Sequence, residues 1–157
     1  MTAQKLPSPE LLRKLLRYDP ETGKLFWRER PLEMFKCVRD QRKWNNRFSG
    51  LEGITSISRK GYKTGTIVGV TLRAHRLIWA MQTDAWPEDE IDHIDRDRSN
   101  NRWVNLRAAT RTQNGGNLAS KPNSSSSYLG VSSFFGSPTK KWRAQVMHKG
   151  KRYYLGS

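Results

Sequence analysis

The 157-residue chain contains three histidines, and one of them, His93, directly follows an aspartate, Asp92. The pair lies in the most acidic stretch of a basic protein, among Glu88, Asp89, Glu90, Asp95 and Asp97. An imidazole titrates near working pH, so its neutral form suits a general base. A carboxylate suits a hard divalent cation, which prefers oxygen ligands. Asn105 follows His93 by 12 residues and Asn114 follows Asn105 by 9. The Asn114 amide oxygen is a second oxygen ligand of the right kind. Asn105 carries both donors and an acceptor, so it can tie a loop and fix the His93 ring. A base beside a hard cation is what phosphodiester hydrolysis needs: an activated nucleophile, charge stabilisation on the phosphoryl group and help for the leaving oxygen. Taken singly the residues are ordinary. An Asp-His pair is commonplace, a lone Asn105 reads as a turn residue, and a lone Asn114 reads as a helix-surface residue. Their joint pattern carries the reading.

The elements that position them follow from local signals. Ile91 to Ile94 reads as a short strand, where Asp92 and His93 point to opposite faces and so take separate roles. Asp95 to Asn101 is a polar loop, and Val104 to Arg107 a second strand. Thr110 and Gln113 fit a capping box, which places Asn114 in the first turns of a helix. Upstream, Ser8-Pro9-Glu10 is a helix start, with Leu11, Leu12, Leu15 and Leu16 on one face. Asp19 to Gly23 is a turn and Lys24 to Trp27 a strand. Residues 28–52 show no clear period and read as a loop-rich basic segment holding Phe35, Trp44 and Phe48. Gly61 to Leu72 reads as a β-ribbon. Residues 74–83 read as a helix with Leu77, Ile78 and Met81 inward.

The net charge is +15, which points to a polyanionic partner. It is unevenly placed: +7 over residues 1–60, +1 over 61–117 and +7 over 118–157. Carboxylates gathered inside a polyanion-binding protein repel its ligand, and a bound cation is the simplest reason for them. No run of 18 apolar residues occurs and no apolar signal segment follows the N-terminus, so a cytoplasmic protein without a membrane partner is expected. The single cysteine, Cys37, permits no internal disulfide. Residues 119–127 read as a linker. Beyond it, Trp142 to Val146 and Arg152 to Leu155 read as strands joined by a turn at His148 to Lys151.

The stretch from His75 to Asn117 resembles the phage and intron-borne HNH endonucleases. It carries His75-Arg76-Leu77, Asp92-His93-Ile94-Asp95, Asn100-Asn101-Arg102, Asn105-Leu106-Arg107, and Thr110-Arg111 followed by Asn114. The head of the chain, LLRYDPETGKLFW, also resembles the start of many such phage proteins. The resemblance implies an α+β chain built on a small ββα-metal core at 61–118. An N-terminal basic helix and strand segment at 1–60 would precede it. In this reading His93 is the general base, Asp92 and Asn114 bind one divalent metal (Mg2+, with Mn2+ as the alternative), and Asn105 braces the loop. It further implies a site-selective endonuclease of homing type acting on double-stranded DNA, in the host-cell cytoplasm if phage-encoded. Residues 128–157 resemble part of an Apetala-two-type DNA-binding module, through Tyr128, Gly130-Val131, Trp142-Arg143-Ala144, Gly150-Lys151 and Leu155-Gly156. Lys140, Lys141, Arg143, Lys151 and Arg152 would then contact phosphates. Leu129 stands where that family has Arg, and the sequence ends where its helix would begin. The competing function is a nucleic-acid-binding module, for DNA or RNA, with a relic of the HNH site. The target sequence, nicking versus double-strand cleavage, and monomer versus homodimer stay open.

Overall fold

The computed structural model describes residues 6–117, 123–135, 141–148 and 150–156. They form two compact units, Met1–Asn114 and Gly115–Ser157. The architecture is mixed α+β, with small antiparallel sheets and short helices.

The first unit begins with α1 (Pro9–Leu15). Ser8 caps it by accepting a hydrogen bond from the Leu11 N–H at 3.2 Å, with proline at the first helical position. Leu16 leaves the helix and starts β1 (Leu16–Asp19), which pairs with β2 (Lys24–Trp27). β3 (Glu52–Gly53) adds to β2. Between them lies α2 (Val38–Phe48), in the segment where the sequence shows no period. That difference has a physical cause. The helix seats Gln41, Trp44, Asn45 and Phe48 inward, and two of these four are amides, so an apolar period is absent. A second sheet joins β4 (Ser56–Ile57), β5 (Lys63–Ile67) and β6 (Val70–Arg73), and feeds directly into α3 (Ala74–Thr83).

One apolar cluster holds this unit together. It runs from Leu12, Leu15, Leu16 and Leu25 through Ile54 and Ile67 to Leu77, Ile78, Met81, Ile91 and Leu106. Residues of the 1–60 and 61–118 segments therefore share one core. Arg13 fastens α1 to the end of α3, donating to the Met81 carbonyl at 2.9 Å and pairing with Asp84 at 2.6 Å. A cation at a helix C-terminus is the favourable placement.

The remaining elements of the unit are β7 (Glu90–His93) and β8 (Leu106–Ala109), antiparallel, followed by α4 (Arg111–Gly116). Val104 stands in a 3₁₀ turn, Trp103–Asn105, and is exposed, so β8 begins later than the sequence pattern suggests. α4 opens with a reciprocal capping box: Thr110 N–H donates to the Gln113 side chain at 2.9 Å, and Gln113 N–H donates to Thr110 Oγ1 at 3.3 Å.

The second unit holds β9 (Val131–Ser133), β10 (Trp142–His148) and β11 (Lys151–Gly156) in one antiparallel sheet, with β10 central. None of its described residues is buried. Part of the expected linker, residues 119–122, lies outside the described residues, as does Lys140. No helix among the described residues is long and apolar enough to cross a membrane.

The turn between β1 and β2 has a structural role beyond its hairpin. Gly23 adopts φ +70°, and a Cβ there would stand 2.5 Å from the Arg102 backbone nitrogen and 2.6 Å from the Asn101 carbonyl carbon. Gly23→Ala combines left-handed strain with a backbone clash, and should lower unfolding free energy by roughly 1–3 kcal/mol. Urea unfolding of the variant checks this; an unchanged midpoint would contradict the packing of the turn on the loop.

Candidate active site

The β7–β8 register sets Asp92 opposite Arg107 and His93 opposite Leu106. Alternation on β7 turns Ile91 and His93 to one face and Glu90 and Asp92 to the other. Both members of the Asp-His pair are buried, at 5% and 3% exposure.

Buried charge needs a partner. Asp92 has one in Arg107, whose Nε and Nη2 donate to Asp92 Oδ2 at 3.0 and 2.7 Å. On the same face, the Asn114 amide nitrogen donates to the Glu90 carboxylate. That bond uses the nitrogen end of the amide and leaves the oxygen as its electron-donating end. Asp92, Glu90 and Asn114 thus offer oxygen donors on one side of a strand and helix. No cluster of three or more His, Cys, Asp or Glu suited to a metal occurs among the described residues. A carboxylate and an amide oxygen are the donor types that a hard divalent cation takes.

His93 is held from several sides. Its Nε2 lies 3.2 Å from Asn101 Oδ1. The Asn101 side-chain nitrogen donates to the Ser99 carbonyl at 3.1 Å, which fixes the amide with its oxygen toward the imidazole. An amide oxygen only accepts, so this contact is a hydrogen bond when His93 carries its proton on Nε2. Asn101 is itself 1% exposed, and Tyr18 donates to its backbone carbonyl at 2.8 Å. Burial pushes the Tyr18 hydroxyl up to about 12, so it stays protonated and donating. Burial likewise pushes the His93 pKa below the ordinary histidine value, against the Asn101 bond and the charges of Asp95, Asp92 and Asp97.

Asn105 closes the loop between the strands. Its side-chain nitrogen donates to Asp95 Oδ1 at 2.9 Å and to the Asn100 carbonyl at 2.8 Å, while its oxygen accepts the Asp95 N–H at 3.0 Å. Burial works to raise the Asp95 pKa, but the bonds from Asn100 and Asn105 outweigh it, and the carboxyl lies below its ordinary value.

Residues 72–115 match the family model for HNH endonuclease. The matched segment includes β7, β8, Asn101, Asn105 and Asn114, while Tyr18 lies outside it. This supports an HNH nuclease family and a nucleic-acid substrate. No curated protein and no solved structure matches the chain.

Several neighbours of the Asp-His pair carry no local signal in the sequence. Tyr62, just before β5, lies 6.0 Å from the His93 ring and 5.0 Å from His75. The Arg73 and Arg98 guanidinium groups lie 4.7 and 5.0 Å from the Tyr62 ring. Nothing local in the sequence joins Tyr62 to His93; the β5–β6–α3 path does. Arg107 was legible only as part of a motif, because its pairing with Asp92 is a cross-strand property. Of the five basic residues expected on the tail, Lys141, Lys151 and Arg152 are exposed and Arg143 half-buried, all in the second unit.

His75 packs edge-on against His93, 5.1 Å between centroids, and its Nδ1 is buried without a hydrogen bond among the described residues. Burial, with the charges of His93, Arg73 and Arg76, pushes its pKa from 6.5 down to about 3. The fold therefore favours neutral His75, and the unfolded chain takes up a proton first as pH falls. This contribution to stability is complete above pH 6.5 and is lost toward pH 3, at up to about 1.4 kcal/mol per pH unit. Comparing the urea midpoints of the parent chain and His75→Phe at pH 7.5 and pH 5 checks it. The parent should lose more stability than the variant on acidification; equal losses would show that His75 is not neutral in the fold.

Proposed function

We propose that the chain is a site-selective endonuclease, of homing type, that hydrolyses phosphodiester bonds in double-stranded DNA. The observation that carries this reading is a buried imidazole held against the Asn101 amide oxygen, back to back on one strand with a buried carboxylate, inside the segment that matches the HNH endonuclease model. We take β7, β8 and α4 as its ββα-metal unit. Asp92 and the Asn114 amide oxygen hold the cation, Mg2+ or Mn2+. Bound there, it supplies charge stabilisation to the phosphoryl and leaving oxygens.

The chain's own residues do the rest. His93 Nδ1 takes a proton from the attacking water, whose oxygen forms the new bond to phosphorus as the ester oxygen departs with the bonding pair. Burial keeps the resting imidazole neutral and able to accept. Once protonated, it lies in the field of Asp92, Asp95 and Asp97, which favours the cation. Asn101 orients the ring, and Asn105 keeps the loop that carries Asn101. The pair of guanidinium groups at Tyr62, from Arg73 and Arg98, suits the phosphates beside the cut. In the second unit, Lys141, Arg143, Lys151 and Arg152 grip phosphates. Arg143 is stiffened for this by Phe134 and Tyr154, 4.0 and 5.4 Å from its guanidinium.

Supercoiled-plasmid cleavage tests the proposal. The parent chain should cut with Mg2+ and stop on chelation, while still binding DNA. His93→Ala should lose at least the ~10²-fold typical of a general base. Asp92→Ala should resemble chelation, and Asn114→Ala should need more Mg2+ for the same rate. Parental rates in His93→Ala, or a parental Mg2+ titration in Asp92→Ala, would remove these residues from their roles.

A further inference from the structure

α2 is docked by an unusual inner face. Trp44 is its anchor, 5.8 Å from Trp27, 6.3 Å from Phe35 and 5.3 Å from Phe48. The Arg30 guanidinium lies 3.8 Å from the Trp44 ring centre. Asn45 pairs with the Arg30 backbone at both ends, accepting its N–H at 3.0 Å and donating to its carbonyl at 3.0 Å. Gln41 donates to the same carbonyl at 3.1 Å. The helix is thus fixed in rotation on the chain that follows β2, and its outer face is a defined surface.

That outer face carries Arg39, Arg42, Lys43, Asn46 and Arg47, all exposed. Their spacing of i, i+3, i+4, i+7 and i+8 puts them on one stripe. The single carboxylate of the helix, Asp40, lies 3.8 Å from Arg39. Among the described residues no carboxylate forms an ion pair with Arg42, Lys43 or Arg47. Like charges at i and i+4 destabilise a helix, and a polyanion removes that cost. Eleven residues make a helix about 16 Å long. The major groove of duplex DNA, about 12 Å wide, admits such a helix. Arginine and lysine suit its phosphates and guanine edges, and asparagine suits adenine.

We propose that α2 is a DNA-reading helix, whose Arg39, Arg42, Lys43, Asn46 and Arg47 face enters the major groove of the duplex. The inference rests on the reading of duplex DNA as substrate, and it adds a recognition element in the first unit, in the same compact unit as the active site. Arg39, Arg42, Lys43 and Arg47 hold the backbone, and Asn46 reads a base edge.

The test uses the full chain with His93→Ala, without metal, and a fluorescent duplex drawn from DNA the parent chain binds. Arg39→Gln, Arg42→Gln, Lys43→Gln and Arg47→Gln together should weaken binding at least 10-fold near physiological salt. The log–log salt slope should become shallower by roughly 2 to 4, at about 0.9 for each phosphate that is no longer neutralised. Unchanged helicity by circular dichroism should accompany this, since all four side chains are exposed. Asn46→Ala in the active chain should shift the map of cut sites with the salt slope unchanged. A quadruple variant with parental affinity and slope would overturn the proposal. So would equal competition by duplex RNA, whose deep, narrow major groove does not admit a helix. Cleavage by the unmodified chain is scored separately. A chain that binds but does not cut, and whose quadruple variant loses binding, sinks the nuclease reading and upholds α2. A chain that cuts, with an unaffected quadruple variant, does the reverse.

Discussion

The rest of the site depends on the closure of the loop between β7 and β8 by Asn105. This side chain is 8% exposed, and both its donor and acceptor ends bond to the loop it closes. Its backbone carbonyl also accepts the Ile94 N–H at 2.9 Å. A buried amide with all these bonds holds one loop geometry, because any other leaves polar groups buried and unpaired, at about 1–3 kcal/mol for each. The geometry so held brings Asn101 under His93. The Asn101 amide oxygen then faces the imidazole at 3.2 Å, so a brace of the loop also orients the ring.

The N-terminal half supports the same loop from outside. Tyr18 bonds the Asn101 carbonyl, the Trp103 N–H donates to the Pro20 carbonyl at 3.4 Å, and Gly23 lies against the Asn101–Arg102 backbone. Charge divides the chain near residue 60, but the apolar cluster runs across that division, from Leu12 to Leu106. Net charge reports on partners, whereas burial reports on what folds together. The flanking charge and the shared core are compatible, since surface residues carry one and interior residues the other.

What the sequence discloses follows the range of each interaction. The Ser8 cap, the Thr110–Gln113 capping box and the apolar side of α3 are local, and all three are legible. The spacing of Asp92-His93, Asn105 and Asn114 is readable through family resemblance, and the structure places Asp92 and His93 on β7, Asn105 in the turn that leads into β8, and Asn114 on the helix after it. Other features are settled at long range. Asn101 matters because of a rotamer fixed by Ser99 and a hairpin more than 70 positions away. Arg107 meets Asp92 through strand register, and Tyr62 reaches His93 only by way of the second sheet. α2 escapes a hydrophobic-period search because amides do half of its docking. Leu16 fits the helical face of Leu12 and Leu15, but pairing with Trp27 draws it into β1.

In the proposed function one strand serves two tasks, with the cation on the Asp92 face and the base on the other. The most direct measurement is anomalous diffraction from Mn2+-soaked crystals of His93→Ala bound to duplex DNA. The account predicts a single strong Mn2+ peak bonded to the Asp92 carboxylate and the Asn114 amide oxygen. A peak bonded to other side chains, with Asp92 still paired to Arg107, would contradict it.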